Sequence, residues 1–168
     1  MEQLVKLSMC DMNREDISKS FDLVVSRLNL SLNPWDFHFT SEEMLGSHTG
    51  PFGSGFYVRG TTKIGIACRA TLDNVYYQHS FITLNACSRE TETFTIGHDT
   101  LMAALGRSDD SWLVMTNRQP TAVVARNGQD PVTAFVHDLT EIAAIVLRTP
   151  SEDFNTIVRR GHRAWTIE

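Results

Sequence analysis

What this sequence lacks most is catalytic and ligand punctuation. Its three cysteines, Cys10, Cys68 and Cys87, form no CxxC pair, so neither a structural zinc site nor a thioredoxin-type redox motif is indicated. Any disulfide pairing would leave one thiol over, and reduced cysteines in a cytosolic protein are the simpler expectation. The histidines, His38, His48, His79, His98, His137 and His162, show no HxxxH or HExxH spacing. Helical zinc chemistry is therefore not signalled, and no metal, cofactor or catalytic residue is assigned. There is no GxSxG nucleophile elbow and no GxxxxGK[ST] phosphate loop. The longest strongly apolar tract, Ile142–Leu147, falls far short of the ~20 residues that span a bilayer. The start, Met1-Glu-Gln-Leu-Val-Lys-Leu, has no basic segment followed by an apolar run and does not read as a signal peptide. These absences lead to the expectation of a cytoplasmic protein with no membrane association.

Positive charge is also in deficit. The formal net charge is −5, which disfavours a broad phosphate-neutralising surface and makes nucleic acid an unlikely partner. Arg148, Arg159, Arg160 and Arg163 cluster late in the chain, where cations near helix C-termini also complement the dipole. With 168 residues, 42% of them hydrophobic, the chain is expected to form one domain over residues 1–168 with an ample core.

What the sequence does have is glycine in one place. Half of its ten glycines lie between Gly50 and Arg69. The order Gly50, Gly53, Gly55, Gly60, Gly65 does not match a dinucleotide fingerprint, because strand-like sequence follows it instead of a helix. A protein-kinase loop does lie between strands. Its other parts are missing, since His137-Asp138-Leu139 lacks the arginine of a catalytic loop and no Asp-Phe-Gly occurs. The glycines read as turns and hairpin bends, where positive φ is needed.

Periodicity supplies the elements. Ile17, Phe21, Val24 and Leu28 recur at steps of three and four after Asn13, predicting a capped helix that ends at Asn33-Pro34. Residues 34–55 are irregular, broken by a short helix at Ser41–Leu45 with Gly46 as its stop. Phe56–Arg59 and Lys63–Ala70 form a hairpin across Gly60-Thr-Thr, and Val75–Leu84 is a further strand. A helix spans about Gly97–Leu105, closed by Gly106. Trp112–Thr116 and Thr121–Arg126 pair across Asn117–Pro120. Asp130 caps a helix from Pro131 to about Leu147, with Val132, Phe135, Val136, Leu139, Ile142, Ala143 and Val146 as its apolar stripe. Ile145 lies off that stripe and points to an interface. A last helix, Glu152–Arg160, and an edge strand, Arg163–Ile167, close the chain. The order predicts an α+β fold: a single domain, a mainly antiparallel sheet of five to six strands, and four to five helices packed on one face.

Two surfaces follow as functional candidates. The aromatic segment containing Trp35, Phe37, Phe39, Phe52 and Phe56 suits a protein partner, since aromatic anchors with a charged rim carry interface energy. This leads to the first expectation, a small protein-binding domain of the immunity or antitoxin type, with a homodimer as a further partner state. The alternative is a small enzyme or anionic-ligand-binding domain. Its pocket would use Tyr57, Arg59, Arg69, Tyr77 and His79 on the sheet. The other polar groups read as structural. His98-Asp99 lies at a helix start, His137-Asp138 on a solvated helix flank, and Asp109-Asp110, Glu90 and Glu92 in solvated loops. Cys87, beside Arg89 in a polar loop, is the one thiol in a setting that suits reactivity.

Overall fold

The computed structural model describes residues 13–42, 45–47, 50–85, 88–107, 109–116, 122–126, 128–143 and 156–157. Helix α1, Arg14–Leu32, begins where the sequence predicts. Asn13 is its N-cap, its side chain accepting from the Asp16 amide at 3.0 Å. The 3,4-spaced Ile17, Phe21, Val24, Leu28 and Leu32 form its buried face. Pro34 then turns the chain into a single 3₁₀ turn, Asn33–Trp35. Asp36 follows at φ +64°, and the Phe37 amide reaches back to the Leu32 carbonyl at 3.3 Å, a left-handed helix stop.

The strands that follow are β1 His38–Ser41, β2 Leu45–Ser47, β3 Gly50–Arg59, β4 Thr62–Cys68, β5 Leu72–Asn85 and β6 Ser88–Gly97. An antiparallel sheet of order β1-β3-β4-β5-β6 results, with β2 on the first residues of β3. Helix α2, His98–Ala104, leads to a separate hairpin of β7, Leu113–Thr116, and β8, Ala122–Ala125. Helix α3, Pro131–Ala143, is capped by Asp130, which accepts from the Val132 amide at 3.1 Å. Arg27 of α1 grips the same carboxylate with both terminal nitrogens, at 2.8 and 3.0 Å, so the cap of α3 also ties it to α1.

The fold is α+β with an antiparallel sheet, as expected. Among the described residues it has three α-helices, not four to five, and a five-stranded path carrying the short β2. The helix predicted at Ser41–Leu45 is replaced by the end of β1 and the start of β2. Ser41-Glu-Glu is a fair local helix start, but β3 offers this segment paired partners, Ser41 to Gly55 and Leu45 to Phe52. Strand β6 stands where Glu90 and Glu92 predict a solvated loop; the two residues pair with Thr83 and Phe81 of β5. Thr156 and Ile157 are helical, as predicted. The remainder of the last helix, the edge strand at Arg163–Ile167, and Ile145, Cys87 and Arg148 lie outside the described residues. Among those described, no helix is long and apolar enough to cross a membrane.

One row crosses four strands in register: Tyr57, Ile64, Tyr77 and Ile96. All four are buried. The helices pack on this face. Phe21 of α1 lies over Gly53, where a Cβ would come within 2.7 Å of its ring. Phe39 covers Gly55 on the same face, while Tyr76 covers Gly65 on the other. These strand glycines therefore admit aromatic rings flat against the backbone. Only Gly60 of the run serves a turn by positive φ, at +56° in the two-residue β3–β4 connection.

Candidate functional site

The polar centre of the molecule lies where α2, the segment before β7, and α3 meet the sheet. His98 is the first residue of α2, two positions past the buried Ile96. Leu101 and Met102, one turn on, share its buried face. Asp138 lies inside the apolar stripe of α3, with Ala134 and Phe135 one turn before it and Ile142 one turn after, all buried. Both polar side chains are therefore carried into the core by the helices' own periodicity. His98 is 0% exposed and Asp138 1%.

A hydrogen-bond network makes this burial tolerable. His98 Nε2 lies 2.8 Å from Asp138 Oδ2, and the Trp112 amide donates to Oδ1 at 2.8 Å. The Leu113 amide donates to Oδ2 at 3.0 Å. Ser111 Oγ lies 2.8 Å from Oδ2 and 2.8 Å from the Leu113 carbonyl, so its one proton serves one acceptor at a time. Burial pushes the Asp138 carboxyl upward. The bonds from His98, Trp112, Leu113 and Ser111 outweigh that, and its pKa falls below the ordinary value of 3.8. Because an ionised carboxylate only accepts, His98 carries its proton on Nε2. Its Nδ1 lies 2.8 Å from the Tyr77 hydroxyl, from which it accepts when the ring is neutral. The Tyr77 phenol is held well above its ordinary value, first by burial and then by the Asp138 charge.

This network resembles an acid–base relay in composition, but with every member buried it cannot touch a substrate. What it does is mechanical. Three of the groups that meet the Asp138 carboxylate belong to residues 111–113, so the carboxylate pins that segment from behind.

In front of the pinned segment is a cavity of about 420 Å³. Trp112 and His137 form one wall. Their rings stack with centroids 3.6 Å apart and planes at 9°. His137 Nδ1 lies 3.9 Å from Asp138 Oδ1, beyond hydrogen-bond reach, and has no hydrogen-bond partner. Arg107, Asp109 and Asp110 line the side toward α2, and Arg126 and Glu141 the side toward β8 and α3. Glu141 lies one turn after His137, on the same side of α3. Arg107 bridges to Glu141 at 2.5 Å, both partly exposed, and Arg126 donates to the Asp109 carbonyl.

The residues singled out from sequence lie outside this cavity and on both faces of the sheet. Tyr57 and Tyr77 are in the core row; Tyr57 Oη lies 3.0 Å from both the Val25 carbonyl and Asn29 Oδ1. His79 is buried with Nδ1 3.1 Å from Thr62 Oγ1. The Arg59 guanidinium lies 6.0 Å from the Phe37 ring centre. Arg69 is on the opposite face, 2.6 Å from Asp73 and over Phe52. The aromatic segment divides in the same way. Phe37 is fully buried, and Trp35 and Phe39 pack against the core. Phe52 and Phe56 lie across the sheet, beneath Arg69 and Lys63. That second face follows ordinary alternation, with the Lys63–Gln78–Thr95 row pointing away from the helices.

The expectation of a solvated flank for Asp138 is overturned, since it is a core residue; His98 stands at a helix start, as expected, and is also buried. The missed signal was a charged residue inside an apolar stripe, which is almost never fully buried without a partner. Asp109 and Asp110 are exposed, as expected. Among the described residues no group of three or more His, Cys, Asp or Glu side chains is arranged to hold a metal. The chain matches no family model, no curated protein and no solved structure.

Proposed function

We propose that this chain is a binding domain for a small polar ligand, held in the cavity between α2, Arg107 with residues 109–112, and α3. The observation that carries the reading is the position of Asp138. A wholly buried carboxylate fixes residues 111–113 from behind, which keeps the Trp112–His137 wall in place before any ligand arrives. A wall set in advance lowers the ordering cost of binding. The volume, about 420 Å³, lies in the range of small-molecule sites, and the polar groups converge on it from three elements. A cytoplasmic setting belongs to this reading and agrees with the free, buried Cys68. The test is a thermal-shift screen with single charged metabolites, since a ligand that binds only the native state raises its melting temperature. A hit should vanish in Trp112→Ala, and a hit of undiminished size in that variant would place the ligand elsewhere.

A second reading keeps the protein-binding domain of the immunity or antitoxin type, including a second copy of the chain as partner. Leu23 and Leu30 favour it. They are 63% and 80% exposed and lie seven residues apart on one side of α1, the spacing of a helix-docking seam. Size-exclusion chromatography with light scattering on wild type and Leu23→Lys/Leu30→Lys tests the self-association form of this reading. A monomer in both removes that form.

A further inference from the structure

The cavity carries both signs of charge, and two of its groups, Arg107 and Glu141, satisfy each other. The Arg107 guanidinium faces the Glu141 carboxylate at 2.5 Å. Arg126 spends a donor on the Asp109 carbonyl. Asp109 and Asp110 add two exposed carboxylates on the same rim. A ligand with only negative charge would have to displace Glu141 from Arg107. It would then leave that carboxylate, with Asp109 and Asp110, facing an anion. A ligand with only positive charge would take the carboxylates and strand Arg107. In either case the charges of the other sign on the rim gain nothing from the ligand. A ligand carrying both charges replaces both partners at once. The exchange is inexpensive on the protein side, because a partly exposed ion pair contributes little.

Resting on the reading of this cavity as a ligand site, we infer that its ligand is a zwitterion, a free amino acid or a dipeptide. Its carboxylate meets Arg107 and Arg126, and its ammonium meets Glu141, Asp109 and Asp110. The Trp112–His137 wall offers a flat aromatic surface beside these charges, where the uncharged part of such a molecule rests. The volume accommodates either source.

The experiment is a titration of the ¹⁵N-labelled full chain, followed at the Trp112 indole Nε1–H, assigned by its absence in Trp112→Phe. The probes are the standard free amino acids and alanyl-alanine, each against its N-acetyl and C-amide forms. At least one zwitterion should move the Trp112 signal saturably. Blocking either of its termini should weaken binding by about tenfold, the scale of losing one hydrogen bond to a charged group. Free amino acids moving the signal without the dipeptide, or the reverse, identifies the source. Arg107→Gln/Glu141→Gln removes the pair while keeping net charge. It should keep the wild-type melting temperature and lose binding to the same degree. If a singly charged form binds as well as its zwitterionic parent, the zwitterion inference falls and the pocket reading stands. If no probe of either kind moves Trp112, both fall.

Discussion

His98 Nε2 and Asp138 Oδ2 are 2.8 Å apart, and neither side chain reaches solvent. Removing one member of such a pair leaves buried donors with nothing to meet. Asp138→Ala orphans the His98 Nε2–H and the amides of Trp112 and Leu113, and should destabilise by about 3–5 kcal/mol in urea unfolding. His98→Ala should cost less alone. The double variant should fall short of the sum by about 1–3 kcal/mol, the coupling expected inside one network. Additive costs would mean that the two side chains do not act together.

The strand glycines should respond in a definite order. A Cβ on Gly55 would lie 2.5 Å from Phe39 Cζ and 2.7 Å from the Thr40 carbonyl oxygen. The second is backbone and cannot turn aside, so Gly55→Ala should cost about 2–3 kcal/mol, the upper range of overpacking. At Gly65 the three nearest atoms all belong to the half-buried Tyr76 ring, which can swing outward, and the cost should be smaller. Gly60 has open space and only its φ of +56°, so Gly60→Ala should cost about 1 kcal/mol. Equal melting temperatures for the Gly55→Ala and Gly60→Ala proteins would contradict this packing.

Stability should fall in two steps on acidification. Burial lowers the pKa of His79 below its ordinary 6.5. The unfolded chain therefore takes up this proton first as pH drops below 6.5, and the native state loses ground until its own lower value is passed. Asp138 is also depressed, so its contribution is whole above the ordinary 3.8 and is lost as pH falls through the native value. Asp130, depressed mainly by the Arg27 hydrogen bond, adds to the same step. Urea midpoints measured from pH 8 to pH 3 should show the first step whole and the onset of the second. His79→Gln should flatten the first and leave the second.

Cys68 should be inert while the protein is folded. Burial, and then the Asp73 charge, push its thiol up to about 12, so almost none is thiolate near neutrality. Iodoacetamide followed by peptide mass spectrometry should label Cys68 only in denaturant. Labelling of the native protein at the rate of a free thiol would place the residue outside the core.

Most of the fold could be read from spacing. The 3,4 pattern of Ile17 to Leu28 and the Asp130-Pro131 cap are local signals, and tertiary packing agrees with both. Ser41–Leu45 was misread because its helix-start chemistry is local, whereas its strand pairing depends on β3. Strand β6 was missed because Thr91, Thr93 and Thr95 are exposed, and a strand with a wholly polar side shows little hydrophobic alternation. The site was harder to find. Asp138 could have been flagged by the apolar neighbours one turn away on either side, but its partners are 40 and 26 residues distant at His98 and Trp112, separations that periodicity does not encode. The sheet cluster is divided for a related reason. Alternation correctly put Tyr77 and His79 on one face, but that face is the one the helices bury.

The most direct test of the central claim is chemical-shift mapping of the whole chain with the strongest hit of the ligand screen. Perturbed amides should concentrate at residues 107, 109–112, 126, 137 and 141, with the Trp112 indole among the largest movers. Perturbations centred on the Leu23–Leu30 side of α1 or on the Lys63–Gln78 face of the sheet, with the Trp112 indole unmoved, would contradict it.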